Sequence, residues 1–248
     1  MPEPRRLLLL AGSTEARVIG QALARRGRSA IASLAGDTRA PADLGLPLRI
    51  GGFGSAHGFA DFLASERIGA VIDATHPHAA RMGPRSFAVC AEMGLPYLRV
   101  LRPPWQRLPG DLWHDVAHEE DVAALVAPGA RVFLATGRKT LHAFAGMRGR
   151  TLFCRQIEAP RTPFPFEGGR FVVGRPPFSI AQEVALFEEL AIDWLVMRNA
   201  GGDASRSKLD AARQLGIRIA MIARPPRHAG ALVETAQDAL TWSEEIAQ

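Results

Sequence analysis

The chain has 248 residues, 47% hydrophobic and 22% charged, with a net charge of +5 and two cysteines. It has neither an apolar run of the roughly 18 residues that a membrane span needs nor a charged-then-apolar leader, so membrane spanning and secretion are not expected. Cys90 and Cys154 lie far apart without metal-site spacing, which argues against structural zinc and for a reducing, cytoplasmic setting. The arginines are scattered beside turns and aromatics are sparse, so the basic balance points to a small polyanion and not to nucleic acid.

In chain order, Leu7–Leu10 reads as a buried strand, broken by Gly12-Ser13-Thr14 and followed by a helix over Glu15–Arg25. Ser29–Leu34 is a second strand, ending in the loop Gly36-Asp37-Thr38-Arg39-Ala40-Pro41. Leu48–Ile50 is a third, followed by Gly51-Gly52-Phe53-Gly54-Ser55 and a helix with Phe59, Phe62 and Leu63 on one face. Ala70–Asp73 is a fourth strand, broken at Thr75-His76-Pro77-His78. A helix then runs through Phe87, Val89 and Met93, and Tyr97–Leu101 is a fifth strand, stopped by Arg102-Pro103-Pro104-Trp105.

Arg102–Asp115, rich in Pro, Trp and turn residues, reads as the boundary between domains. The alternation then restarts. Arg131–Ala135 is a strand, Thr136-Gly137-Arg138-Lys139 a turn and Thr140–Gly146 a helix. Thr151–Ile157 and Phe171–Val173 are strands, Ser179–Leu190 a helix, Trp194–Met197 a strand, Ser207–Leu215 a helix and Ile217–Ile222 a strand. Arg224-Pro225-Pro226 stops that strand, and Ala231–Ile246 reads as a last helix. Both halves open on strand, glycine turn and helix, and both end a strand in Arg-Pro-Pro. The expected fold is therefore α/β: two Rossmann-like domains, residues 1–105 and 106–248, with mostly parallel sheets facing a cleft.

Ligands of open α/β sheets bind at the carboxyl ends of the strands. In the first half these ends carry Gly12, Ser13, Thr14, Asp37, Arg39, Gly52 and Thr75, which together read as a dinucleotide cradle. An ordinary strand-to-helix turn capped by Ser13 or Thr14 is the plainer alternative. Asp37 suits a free ribose 2′-OH, whereas Arg39, with Arg17 on the first helix, suits a 2′-phosphate; the second option is favoured, and with it NADPH. His76 is the candidate proton donor beside a nicotinamide, against a plain capping role in its turn. Metal binding by His76 and His78 lacks a third ligand nearby, and none is expected. In the second half Arg138 and Lys139, Arg198 and Asn199, and Lys208, with Arg155 as a further cation, suggest a substrate with several carboxylates. No G-x-S-x-G, Walker A or zinc spacing is present.

The chain resembles the precorrin-6A reductase family of cobalamin biosynthesis, the precorrin-6x reductases. The resemblance rests on residues 10–17, Gly51-Gly52-Phe53-Gly54, Val71–Ala79 with its Asp-Ala-Thr-His-Pro-His run, Leu101-Arg102-Pro103-Pro104-Trp105, Thr136-Gly137-Arg138-Lys139, and Asn199-Ala200-Gly201-Gly202 followed by Lys208. It implies a cytoplasmic reductase that passes hydride from NADPH to precorrin-6A, giving precorrin-6B. It also implies an anionic tetrapyrrole substrate, with neighbouring enzymes of the pathway as possible partners. The alternatives are a reductase of the cobalt-containing analogue, a nucleotide-dependent transferase on the same fold, and a non-catalytic tetrapyrrole carrier.

Overall fold

The computed structural model describes residues 6–36, 43–160 and 162–246. Its first strand, β1 (Arg6–Ala11), buries Leu7 to Ala11 consecutively, as a central parallel strand covered on both faces does. Ser13 then caps α1 (Thr14–Arg25), its hydroxyl accepting from the Ala16 N–H at 3.3 Å, with Glu15 in the first turn and Arg25 in the last, where the helix dipole favours each. The chain continues through β2 (Ala30–Leu34), β3 (Leu48–Ile50), α2 (Ala56–Ser65), β4 (Ile68–Ala74), α3 (Met82–Glu92) and β5 (Tyr97–Val100). Then come β6 (Trp113–Val116), α4 (Val122–Leu125), β7 (Arg131–Leu134), a 3-10 segment (Arg138–Phe144), β8 (Thr151–Gln156) and β9 (Arg170–Val173). The chain ends with α5 (Ile180–Glu189), β10 (Trp194–Arg198), α6 (Arg206–Leu215), β11 (Arg218–Ile222), β12 (Ala231–Val233) and α7 (Ala236–Glu245).

These strands form two six-stranded sheets, in the orders β12-β5-β4-β1-β2-β3 and β6-β11-β10-β7-β8-β9, with every pair parallel. Read from the other edge, the first is the doubly wound order 3-2-1-4-5-6, and the second repeats its first five places with β9-β8-β7-β10-β11 but takes β6, which precedes them all in the chain, as its sixth strand. Each sheet is covered on both faces by apolar clusters, around Leu9, Ile72 and Leu23 or Leu8, Phe59 and Val71 in the first, and around Phe133, Phe187 and Leu195 or Leu134, Phe144 and Val196 in the second. No helix among the described residues is long and apolar enough to cross a membrane.

The compact units are Met1–Pro103 with Pro225–Gln248, and Pro104–Arg224. This corrects the expected second domain, which does not run to residue 248. Its last segment returns to the first sheet, where β12 pairs with β5 and α7 packs on α1. The helix expected over Ala231–Ile246 splits because Thr235 caps α7, accepting from the Asp238 N–H at 3.1 Å, and leaves Ala231–Val233 free to extend. Part of the expected linker is β6, which pairs with β11. The helix expected over Thr140–Gly146 is the 3-10 segment Arg138–Phe144. Gly137 enters it at φ 79° without a side-chain cap, and the Thr140 hydroxyl bonds back to the Thr136 and Gly137 carbonyls.

Candidate active site

β1 and β4 are neighbours, and the chain leaves them toward opposite edges of the first sheet, so the switch point of that sheet lies between them. A cavity of about 520 Å³ opens there, over the ends of β1, β2, β3 and β4. Gly12 and Gly52 both line it. A methyl group on Gly12 would stand 3.0 Å from the His76 nitrogen and 3.3 Å from the Thr75 Cα, so the turn after β1 is packed directly on the turn after β4. Ser13 spends its hydroxyl on the helix cap. Thr14 and Arg17 are exposed, while Asp37 and Arg39 lie outside the described residues. Arg49 holds the glycine loop after β3, bonding the Gly51 carbonyl and, at 2.9 Å, the Gly52 carbonyl, with its guanidinium 4.0 Å from the Phe53 ring centre.

Thr75 is fixed from behind. Asp73 is fully buried at the end of β4, where it pairs with Arg99 of β5, itself only 7% exposed. Arg99 donates from Nη1 to Thr75 Oγ1 at 2.6 Å, and from Nη2 to the Thr75 and His76 carbonyls at 3.3 and 3.4 Å. Asp73 also accepts from the Thr75 N–H at 3.0 Å and from the Tyr97 hydroxyl at 2.7 Å. Burial and the Asp73 charge push the Tyr97 phenol far above its usual value, so it stays a neutral donor. Asp73, Tyr97 and Arg99 were not anticipated as part of a site. Their signal was a charge of each sign inside apolar strands, because a charged residue in a central strand is buried only when paired.

His76 lines the cavity, and its Nδ1 accepts the His78 N–H at 3.2 Å. This is a contact of the kind that a capping role in the turn calls for. In the neutral ring that contact leaves the proton on Nε2.

In the second unit Arg138 and Lys139 are exposed beside the Gly137 turn, at the mouth of a 3-10 segment and not of an α-helix. The other expected substrate contacts, Arg198, Asn199 and Lys208, already have protein partners. Arg198 bonds Glu119 through Nε and Nη2 at 2.9 and 2.6 Å. Asn199 clamps Trp105, accepting its N–H at 2.8 Å and donating to its carbonyl at 3.1 Å. Lys208 is buried, 3.5 Å from the fully buried Glu183, which also takes Arg155 at 2.8 Å. The Arg155 guanidinium lies between Phe133 and Phe178, 4.9 and 4.2 Å from their ring centres. Burial, reinforced by Arg155 and opposed by Glu183, lowers the Lys208 pKa.

A family model described as precorrin-6x reductase CbiJ/CobK matches residues 6–244. A protein named precorrin-6A reductase from Rhodobacter capsulatus is 39% identical over 96% of this chain and 95% of its own length. One of the same name from Mycobacterium tuberculosis is 41% identical, over 96% of each. A solved structure described as CobK precorrin-6A reductase superposes with a TM-score of 0.92 at 37% identity, covering 98% of this chain and 97% of that one.

Proposed function

The chain belongs to the precorrin-6x reductase family, and from that premise we propose that it reduces precorrin-6A to precorrin-6B in cobalamin biosynthesis, with NADPH as reductant. Family membership makes the protein an oxidoreductase and implies a nicotinamide cofactor. The observation that carries the cofactor reading is the composition of the switch-point cavity. It has a glycine turn at a helix N-terminus, apolar walls at Leu34, Ile50 and Phe53, arginines, and no carboxylate among the described lining residues. These residues fit an anionic dinucleotide.

When bound, NADPH supplies the hydride that the macrocycle accepts. The protein's own part is positional. The first-turn N–H groups of α1, beyond Gly12, take a phosphate, and Ser13 keeps that turn formed. Gly52 lets a ligand approach the loop backbone closely. Arg17 and Arg39 are assigned to the adenosine side, where Asp37 would instead favour a free 2′-OH. Thr75 and His76, locked by Arg99, form the wall toward the reacting ring. Holding two reactants in register is worth up to about 7–11 kcal/mol in the best intramolecular models.

The acetate and propionate carboxylates of the substrate are assigned to Arg138 and Lys139, both exposed beside the Gly137 turn. The reduction also consumes a proton. With Nδ1 already accepting the His78 N–H, His76 is assigned to hydrogen bonding and the proton to water. The metal-free macrocycle is the form proposed, since both relatives above are named for it. Two buried free thiols suit a reducing, cytoplasmic setting.

The test is NADPH oxidation by purified protein offered precorrin-6A or its cobalt-containing analogue. Oxidation with the metal-free macrocycle and formation of the two-electron-reduced product is the expected result. Binding of the macrocycle without oxidation would make the protein a carrier, and turnover of the cobalt form alone would reverse the metal assignment.

A further inference from the structure

Two arginines of the cavity wall have no role in the account above. Arg81 stands at the N-cap of α3, exposed and without a cap bond from its side chain. Arg85 follows one helical turn later, so the two guanidinium groups share a face. Arg85 is tied at both terminal nitrogens, Nη1 to the Gly54 carbonyl at 3.1 Å and Nη2 to the Met82 sulfur at 3.0 Å, while its Nε is buried without an acceptor. Like charges four residues apart on a helix repel. Neither has a carboxylate partner among the described residues. Two cations on one helix face, one of them held by the Gly54 loop, call for an anion.

Position decides which anion. Gly54 follows β3, two strands from β1, and neighbouring strands lie about 4.7–4.9 Å apart. The loop that anchors Arg85 therefore leaves a strand on the opposite side of β2 from β1. A dinucleotide whose pyrophosphate sits at the α1 N-terminus runs its adenosine ribose toward β2, the strand between them. We infer that Arg81 and Arg85 form the site for the 2′-phosphate of the cofactor and set the preference for NADPH over NADH, an inference that rests on the cofactor reading above.

The experiment measures dissociation constants by calorimetry, without substrate, for NADPH, NADH, 2′,5′-ADP and 5′-ADP on wild type, Arg81→Ala and Arg85→Gln. Wild type should prefer each 2′-phosphorylated ligand. Each variant should lose at least about tenfold in affinity for NADPH and 2′,5′-ADP, the effect of one charge-assisted contact, and less than about twofold for the other two. Equal losses on both ligand classes would move the pair to the pyrophosphate, and an unchanged preference would hand selectivity to other residues; either result overturns the inference. Should Arg85→Gln disturb the Gly54 loop and lower the melting temperature, Arg81→Ala, with an exposed side chain, still decides. Wild type that binds NADPH no better than NADH would overturn the cofactor reading itself, before any variant is compared.

Discussion

Arg99 donates to the Thr75 hydroxyl at 2.6 Å across the β4–β5 boundary, with buried Asp73 as its counter-ion. A buried ion pair is weak evidence for stability, because desolvation offsets most of the attraction. Here the guanidinium has a second use: its remaining hydrogens fix the backbone of Thr75 and His76, which form one wall of the cavity. The pair is best understood as a brace for that wall.

Arg99→Met removes the partner and leaves Asp73 buried. The expected loss is about 3–5 kcal/mol of unfolding free energy, read from urea titration. Arg99→Lys keeps the charge but not the planar fork, so it should recover much of the stability while leaving cofactor affinity reduced. Full recovery of both by lysine would make Arg99 a simple counter-ion.

Gly12→Ala sets a methyl group against the His76 nitrogen. Overpacking of this kind costs about 1–3 kcal/mol. Because the displaced parts are the two turns that line the cavity, cofactor binding should weaken by about tenfold or more in a fluorescence titration. Unchanged affinity would remove the Gly12 turn from the binding site.

His76→Asn tests the two roles of that ring. The Asn carbonyl oxygen can accept the His78 N–H, so the turn should persist and the melting temperature hold. With His76 as a hydrogen-bond donor only, kcat should fall by roughly tenfold or less. A general acid would give a fall of about 10²–10⁴. It would also give the wild type, and not the variant, a loss of rate as pH rises past the ordinary histidine range.

Glu183 holds two buried cations. Glu183→Gln strands both and should cost about 3–5 kcal/mol, whereas Lys208→Met leaves the Arg155–Glu183 pair intact and should be close to neutral at pH 7. The native Lys208 pKa is lowered by burial, so between that value and the unfolded lysine value the unfolded chain binds more protons. Wild-type stability, measured relative to Lys208→Met, should therefore rise with pH across that window. A relative fall would reverse the direction of the shift.

The doubly wound pattern was legible because central parallel strands such as Leu7–Leu10 are apolar throughout and break at glycine or Thr-His-Pro turns. β6 and β12 were not legible, being four and three residues long beside proline-rich stretches, with pairing set by the sheet edge they join and not by local pattern. The first cavity was legible in Gly12, Gly52, Thr75 and His76. Reading loops alone, however, passed over Asp73 and Arg99, whose charges sit within strands. It also gave no sign that Arg198 and Lys208 pair with Glu119 and Glu183, which are 79 and 25 residues away in sequence.

The return of β12 to the first sheet has a consequence for biosynthesis. During translation β5 emerges long before its outer neighbour, which follows only after the whole of Pro104–Arg224. At ribosomal speeds of about 5–20 residues per second, that interval is on the order of ten seconds. Throughout it the outer side of Tyr97–Val100 is an open ladder, the kind of edge to which another nascent chain or a chaperone can add a strand. The unit to which the cofactor is assigned is thus the first to begin folding and the last to be sealed. A ribosome stalled anywhere in the second half displays a half-built first sheet with an adhesive border.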